Sequence, residues 1–348
     1  MKPPSDLSSA ELPNSLSIDA HAVKAQQLVV EEFMLATADA GINLYVRNKR
    51  PRGVTTFPGE RILLFVHGAT YPAETTFDLK LNGLSWMDYV ARHGYDVYLV
   101  DIRGYGKSTR PPEMDRPAMD GEPIVRTRTA VEDVGAAVDF ILKRRGVASI
   151  NLLGWSWGTS IMGWYTTQHN DKVNKLALYA PAWIRETAAL TDAGGRLGAY
   201  RTVSRAAAKA RWLAGVPEDK RSDLIPPGWF DAWADAIFAS DPPGAKQTPP
   251  VVRAPNGVLQ DGREFWGAGK ALYDPGGIRV PTFLAHAEWD ADLPSYMLYA
   301  YFSKLANAPY KRYVQIGEGT HTLIMEKNRM QLFQAVQQFL DERLEPNQ

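Results

Sequence analysis

SINLLGWSWGTSIMGWYTTQHN, residues 149–170, decides the fold. Its first part is a short apolar run from Ile150 to Trp155, the right length for a buried strand, and the part after Ser156 has helical length and pattern. The two meet at Gly154-Trp155-Ser156-Trp157-Gly158, a GxSxG pattern. A chain that passes from strand to helix within one residue holds that residue in a strained conformation, and the flanking glycines leave room for the turn. Ser156 is therefore expected at the carboxyl edge of a sheet, with the free N–H groups and positive end of a helix behind it. In isolation the same letters describe a tight turn that contains a serine. The strand-to-helix setting favours an exposed nucleophile.

Working outward, the same alternation recurs. RILLFVHG (61–68) and YDVYLVDIRG (95–104) read as strands, with LNGLSWMDYVARHG (81–94) between them as a helix closed by Gly94. TAVEDVGAAVDFILKRRG (129–146) places Val131, Val134, Val138, Ile141 and Leu142 on one helical stripe that Gly146 ends. VNKLALYAPA (173–182), VPTFLAHAEWD (280–290) and KRYVQIGEG (311–319) are further strands, followed by a last helix in MQLFQAVQQFLDERL (330–344). QLVVEEFMLAT (27–37) and INLYVRNKR (42–50), joined through Asp39-Ala40-Gly41, read as an antiparallel hairpin at one edge. The expectation is an α/β protein with a mostly parallel central sheet and helices on both faces.

Between Trp183 and Ile278 the alternation stops, and the chain is helical in patches and rich in Trp, Pro and Gly. This predicts a catalytic core of residues 26–182 and 279–348, interrupted by an inserted, largely helical cap of residues 183–278. Residues 1–25, polar and proline-containing, read as a flexible segment without the apolar run of a signal or anchor. The expected location is cytoplasmic.

Composition excludes several classes of function. Lys plus Arg and Asp plus Glu are equal at 39 each, so no global field draws the chain to nucleic acid or to an anionic membrane. There is no cysteine and no HExxH, which removes thiol nucleophiles and leaves a zinc site without support. DIRGYGKS (101–108) fails as a phosphate loop because Asp101 stands where the first glycine belongs, and GYGKST fails GxGxxG because Thr109 holds the last place. No cofactor and no metal are expected.

A serine nucleophile needs a base and an acid that orients it. His21, His93 and His169 fall in the terminus or at helix ends, His67 ends a strand, and His286 lies inside one. His321 stands in the loop GEGTHT between the last strand and the last helix, where a proton shuttle is well placed. Asp290 directly follows the strand VPTFLAHA and is preferred as the acid to its neighbours Asp292 and Glu288, because it is nearer the strand and more firmly held.

With these residues in the order Ser156, Asp290, His321, the chain resembles the alpha/beta-hydrolase superfamily over roughly residues 26–345. That resemblance implies an oxyanion hole from the backbone N–H groups of Trp157 and of Ala69, the latter in the VHGAT turn (66–70). It also implies a supporting role for DIRGYGKS. The HGGG form of that turn, used by one lipase and esterase group, is missing.

The expected activity is cleavage of a small or medium carboxylic ester through an acyl-enzyme. Carbon–carbon bond (diketone-type) hydrolysis, amidase or aminopeptidase chemistry and perhydrolysis share these residues, and a ligand receptor with little turnover is the non-enzymatic alternative. Trp183, Trp212, Trp229, Trp233 and Trp266 suggest an apolar pocket in the insertion, hence a substrate with an apolar or aromatic group. Arg201, Arg205 and Lys209, four apart, are expected to share a solvated helix face. The oligomeric state stays open.

Overall fold

A computed structural model of the protein describes residues 27–343. The segment 1–25 lies outside the described residues. Ten strands are present: β1 (Leu28–Ala36), β2 (Asn43–Pro51), β3 (Ile62–Val66), β4 (Asp96–Val100), β5 (Ile150–Trp155), β6 (Val173–Tyr179), β7 (Tyr200–Ser204), β8 (Val251–Pro255), β9 (Thr282–Ala287) and β10 (Lys311–Ile316). Eight of them form one sheet in the order β1-β2-β4-β3-β5-β6-β9-β10. Only β2 opposes its neighbours, pairing antiparallel with β1 and β4, while every other adjacent pair is parallel.

Strands β3, β4 and β5 are buried along their whole length, as a sheet covered on both faces requires. β1, at the edge, alternates between exposed and half-buried positions. Helices 127–145 and 157–168 pack together against the sheet, and helices 86–92 and 329–341 form a second pair, with Trp86 stacked on Phe333 at 4.7 Å. Val131, Val134, Val138 and Ile141 are buried as their spacing predicts, and Gly146 closes the helix in the left-handed conformation at φ 65°. Among the described residues, no helix is long and apolar enough to cross a membrane.

Three local expectations need correction. Residues 81–84 are a tight turn, not helix, because Ser85 caps the helix that starts at Trp86 by accepting the Asp88 N–H. The interval between β6 and β9 is not only helical, since β7 and β8 pair in it as an antiparallel ribbon from Tyr200↔Pro255 to Ser204↔Val251. β8 is buried at every position although Arg253 sits at its centre, because Asp241 pairs with that guanidinium at 2.7 Å and removes the charge penalty. A central Arg with Pro249, Pro250 and Pro255 around it hides a strand from pattern reading.

The third correction concerns Arg201, Arg205 and Lys209. Ser204 caps the helix that starts at Arg205, so Arg201 belongs to β7 and its side chain turns inward to Ala69 and Thr70. Arg205 remains on the surface, bridging Asp231 and Asp235 at 2.7 Å each.

Candidate active site

In parallel strands all carboxyl ends lie on one edge, and that edge assembles the site. β5 delivers Ser156, β9 leads to Asp290, β10 leads to the loop with His321, and β3 leads into His67-Gly68-Ala69. Ser156 sits at φ 58° and ψ −123°, a region that non-glycine residues avoid and that costs of order 1–3 kcal/mol. The glycines around it are required by space: a Cβ at Gly154 would lie 2.2 Å from the Gly158 carbonyl oxygen, and one at Gly158 would lie 2.5 Å from that of Val66.

The three residues separated in sequence meet here. His321 Nε2 lies 2.9 Å from Ser156 Oγ, and His321 Nδ1 lies 2.8 Å from Asp290 Oδ2. The other Asp290 oxygen accepts the Leu293 N–H at 2.8 Å. Burial opposes ionisation of Asp290, but His321, His286 and the Leu293 N–H outweigh it and hold the carboxyl below its usual range. Asp292 faces elsewhere, paired with Arg211 at 2.8 Å, and Glu288 accepts the Glu318 N–H at 2.9 Å.

Several supporting groups went unnoticed in the sequence. The His321 carbonyl accepts the Trp155 indole N–H at 3.0 Å and the Tyr179 hydroxyl at 3.1 Å, which fixes the loop from the ends of β5 and β6. Buried Glu326 accepts the Thr320 N–H at 2.9 Å and the Trp212 indole N–H at 2.8 Å, tying the His321 loop to the segment 183–278. Burial raises the Glu326 carboxyl to about 7. A glutamate inside the apolar run LIME (323–326) is the signal that could have drawn attention to it.

The turn before Ser156 is equally constrained. His67 Nε2 accepts the Ile102 N–H at 3.1 Å, so Nδ1 is the protonated nitrogen and donates to the Gly68 carbonyl at 2.7 Å. Burial pushes this imidazole down to about 4, so it stays neutral at ordinary pH. In a trans peptide the N–H points away from the C=O, so holding the Gly68 oxygen also aims the Ala69 N–H. The Ala69 carbonyl in turn accepts the Tyr105 hydroxyl at 2.8 Å and Arg201 Nη2 at 2.6 Å. Among the described residues, neither the Ala69 nor the Trp157 N–H has a protein acceptor. A Cβ at Gly68 would come within 3.0 Å of the Ser156 Cβ, so glycine keeps this turn close to the serine.

DIRGYGKS braces the same edge. Asp101 accepts the Ala73 and Lys107 N–H groups at 2.7 and 3.0 Å, Ser108 Oγ accepts the Tyr45 N–H at 2.7 Å, and Tyr105 reaches Ala69.

Two small cavities meet at Ser156, of about 20 and about 60 Å³. Trp212 and Trp233 line the first, and Trp183 and Trp266 the second. Trp229 does not belong with them, because its ring carries the Arg329 guanidinium at 4.4 Å. Much of the tryptophan surface is spent on packing: Trp233 meets Trp212 edge-on at 5.0 Å and Tyr71 of the core at 4.7 Å.

Comparison with known proteins follows this geometry. No curated protein matches the chain. The structure is similar to a thermophilic esterase from Thermogutta terrifontis, at TM-score 0.58 and 14% identity, covering 89% of this chain and 98% of that one. A bromoperoxidase from Bacillus anthracis is similar at TM-score 0.61 and 16% identity, covering 90% and 100%. So is a 2-hydroxy-6-oxo-6-phenylhexa-2,4-dienoate hydrolase from Rhodococcus sp. strain RHA1, at TM-score 0.58 and 12% identity, covering 90% and 100%. At such identities the likeness shows the fold. The sequence signature of the alpha/beta hydrolase fold matches residues 61–328, and the chain belongs to that family.

Proposed function

We propose that the protein is a serine hydrolase that cleaves small carboxylic esters through an acyl-enzyme. The observation that carries this reading is the unbroken chain Ser156 Oγ, His321 Nε2, His321 Nδ1, Asp290 Oδ2, with contacts of 2.9 and 2.8 Å on a strained serine. Membership of the family supports hydrolysis in general.

In the proposed reaction Ser156 Oγ attacks the ester carbonyl carbon as its proton passes to His321 Nε2. Asp290 holds the imidazole in the tautomer that leaves Nε2 free to accept, and it stabilises the imidazolium that forms. The carbonyl oxygen, now an oxyanion, takes the N–H groups of Ala69 and Trp157, which are pre-aimed and need no reorganisation. The carbon–oxygen bond to the alcohol breaks, and the alkoxide leaves with the proton from His321. Water then gives one proton to His321 and its hydroxyl to the acyl carbon, the bond from the acyl carbon to Ser156 Oγ breaks, and His321 returns the proton to Oγ as the acid leaves.

The segment 183–278 acts as the cap in this reading, since Trp183, Trp212, Trp233 and Trp266 form cavity walls at Ser156. Cavities this small suit short acyl groups with an apolar or aromatic part rather than long lipid chains. A fluorophosphonate should label the wild-type protein at Ser156 and leave Ser156→Ala unlabelled, with parallel loss of chromogenic ester turnover. Labelling of another serine, with Ser156 untouched, overturns the assignment.

A further inference from the structure

The cavities at Ser156 carry more cationic than anionic side chain. Arg185 and Arg211 both line the larger one, and Asp292 is the carboxylate on the same wall. Asp292 is committed to Arg211, whose Nε donates to its two oxygens at 3.1 and 2.8 Å. Among the described residues, Arg185 forms no hydrogen bond or ion pair with a side-chain carboxylate. Its Nε donates to the Thr187 carbonyl at 3.1 Å, and its Nη2 donates to the main-chain carbonyl of Asp292 at 2.9 Å. Among the described residues its Nη1 has no protein partner.

A third guanidinium lies directly behind Ala69. Arg201 donates to the carbonyls of Ala69 and Pro255 at 2.6 and 2.7 Å and to Thr70 Oγ1 at 3.0 Å, and among the described residues it pairs with no carboxylate. Both side chains are half-buried, and burial depresses Arg185 and Arg201 below the usual arginine range. Against these three, Asp290 is engaged by His321 and Asp292 by Arg211. Three guanidiniums and two carboxylates leave one positive charge around the cavities unmatched.

Taking a charge out of water is costly unless an opposite charge replaces the lost hydration. Carbonyl dipoles do part of this for Arg185, whose side chain lines a cavity that Ser156 also lines. We propose that the substrate is a small ester bearing a free carboxylate, and that Arg185, with Arg211 beside it, receives that carboxylate. The inference rests on the serine-hydrolase reading and narrows its substrate class. Arg–carboxylate contacts are charge-assisted and geometrically selective, so they would hold the ester carbonyl at a set distance from Ser156. The limited cavity volume, about 60 Å³, calls for a short spacer between the two groups.

The test uses two charged esters: a half-ester of a short dicarboxylic acid, with the carboxylate on the acyl side, and an acyl ester of glycolic acid, with it on the alcohol side. Each is compared with its neutral methyl-capped counterpart by kcat/KM. At least one charged ester should exceed its counterpart by about tenfold or more, and which one does so locates the carboxylate. Arg185→Gln should bring that ratio down toward one, mainly through KM, while Arg185→Lys keeps part of it. Arg205→Gln, at the exposed pair with Asp231 and Asp235, should leave the ratio alone.

Preference for both neutral esters, or a ratio that Arg185→Gln does not move, overturns the proposal. Should no ester be hydrolysed, the serine-hydrolase reading fails by itself, and the carboxylate site is judged by calorimetric binding of succinate to the folded Ser156→Ala protein. Binding weakened about tenfold by adding Arg185→Gln supports the site. No binding, or binding that the substitution leaves unchanged, rejects it.

Discussion

Buried cations are handled differently in the sheet and at the boundary between the core and the segment 183–278. In and around the sheet, Lys49 lies between Asp78 and Asp88, Arg145 meets Asp96 at 2.6 Å, and Arg103 meets Asp133. Lys175 in β6 donates to the carbonyls of Phe339 and Leu340 at 2.8 Å, where the last helix ends and its dipole is negative. Within the segment 183–278, Arg253 is likewise matched by Asp241. At the boundary, Arg185 and Arg201 are given main-chain carbonyls instead of carboxylates. Cations matched by carboxylates away from Ser156 are taken up by the fold, whereas those near Ser156 that lack a carboxylate leave attraction available for a ligand or a developing anion.

The largest expected effect separates the chemistry from everything around it. Ser156→Ala and His321→Ala should each lower ester kcat/KM by about 10³-fold or more, and the double variant should be scarcely worse, since the two act as one unit. Additive losses in steady-state kinetics would break the proposed triad.

Next, Asp290→Asn should cost about 10²-fold or more in kcat, because an amide no longer stabilises the imidazolium and favours the wrong tautomer. Asp292→Asn should act mostly on KM, since it frees Arg211. A larger kcat loss for Asp292→Asn would reverse the assignment of the two carboxylates.

Arg201→Met sharpens the contrast at the boundary. Removing the donor to Ala69 and Thr70 should lower kcat by about tenfold, as loosened oxyanion donors do, whereas Arg205→Gln should change it by less than twofold. Equal effects of the two substitutions would mean that the Arg201 contact does not help aim the turn.

The smallest effect is on stability. Glu326 is raised by burial to about 7 from an ordinary 4.5, so in the folded protein it keeps its proton while the unfolded chain ionises. Its contribution is complete below about 4.5 and is lost as pH climbs through about 7. Glu326→Gln, which cannot ionise, should reduce the drop in Tm between pH 5 and pH 7.5 by about 2 °C or more. An unchanged drop would show that Glu326 is not the titrating group.

How far the sequence could be read depended on whether the physical signal was local. The parallel sheet was legible from the alternation of strands and helices along the chain, and the bend at Ser156 and the role of its glycines from 149–170, because a strand-to-helix turn is encoded by contiguous residues and hard-sphere limits. Asp290 and His321 could be nominated from their places after strands, since parallel strands send such loops to one edge. Which carboxylate turns toward His321 is a matter of side-chain direction, and only the packed structure places Asp290 against the imidazole and Asp292 against Arg211. Likewise β8, Arg201 and Glu326 each put a charged group where pattern reading expects an apolar or solvated one. Burial of such a group depends on a partner distant in the chain, such as Asp241, Ala69 or Trp212, and that partner is supplied by tertiary contact rather than by neighbouring letters.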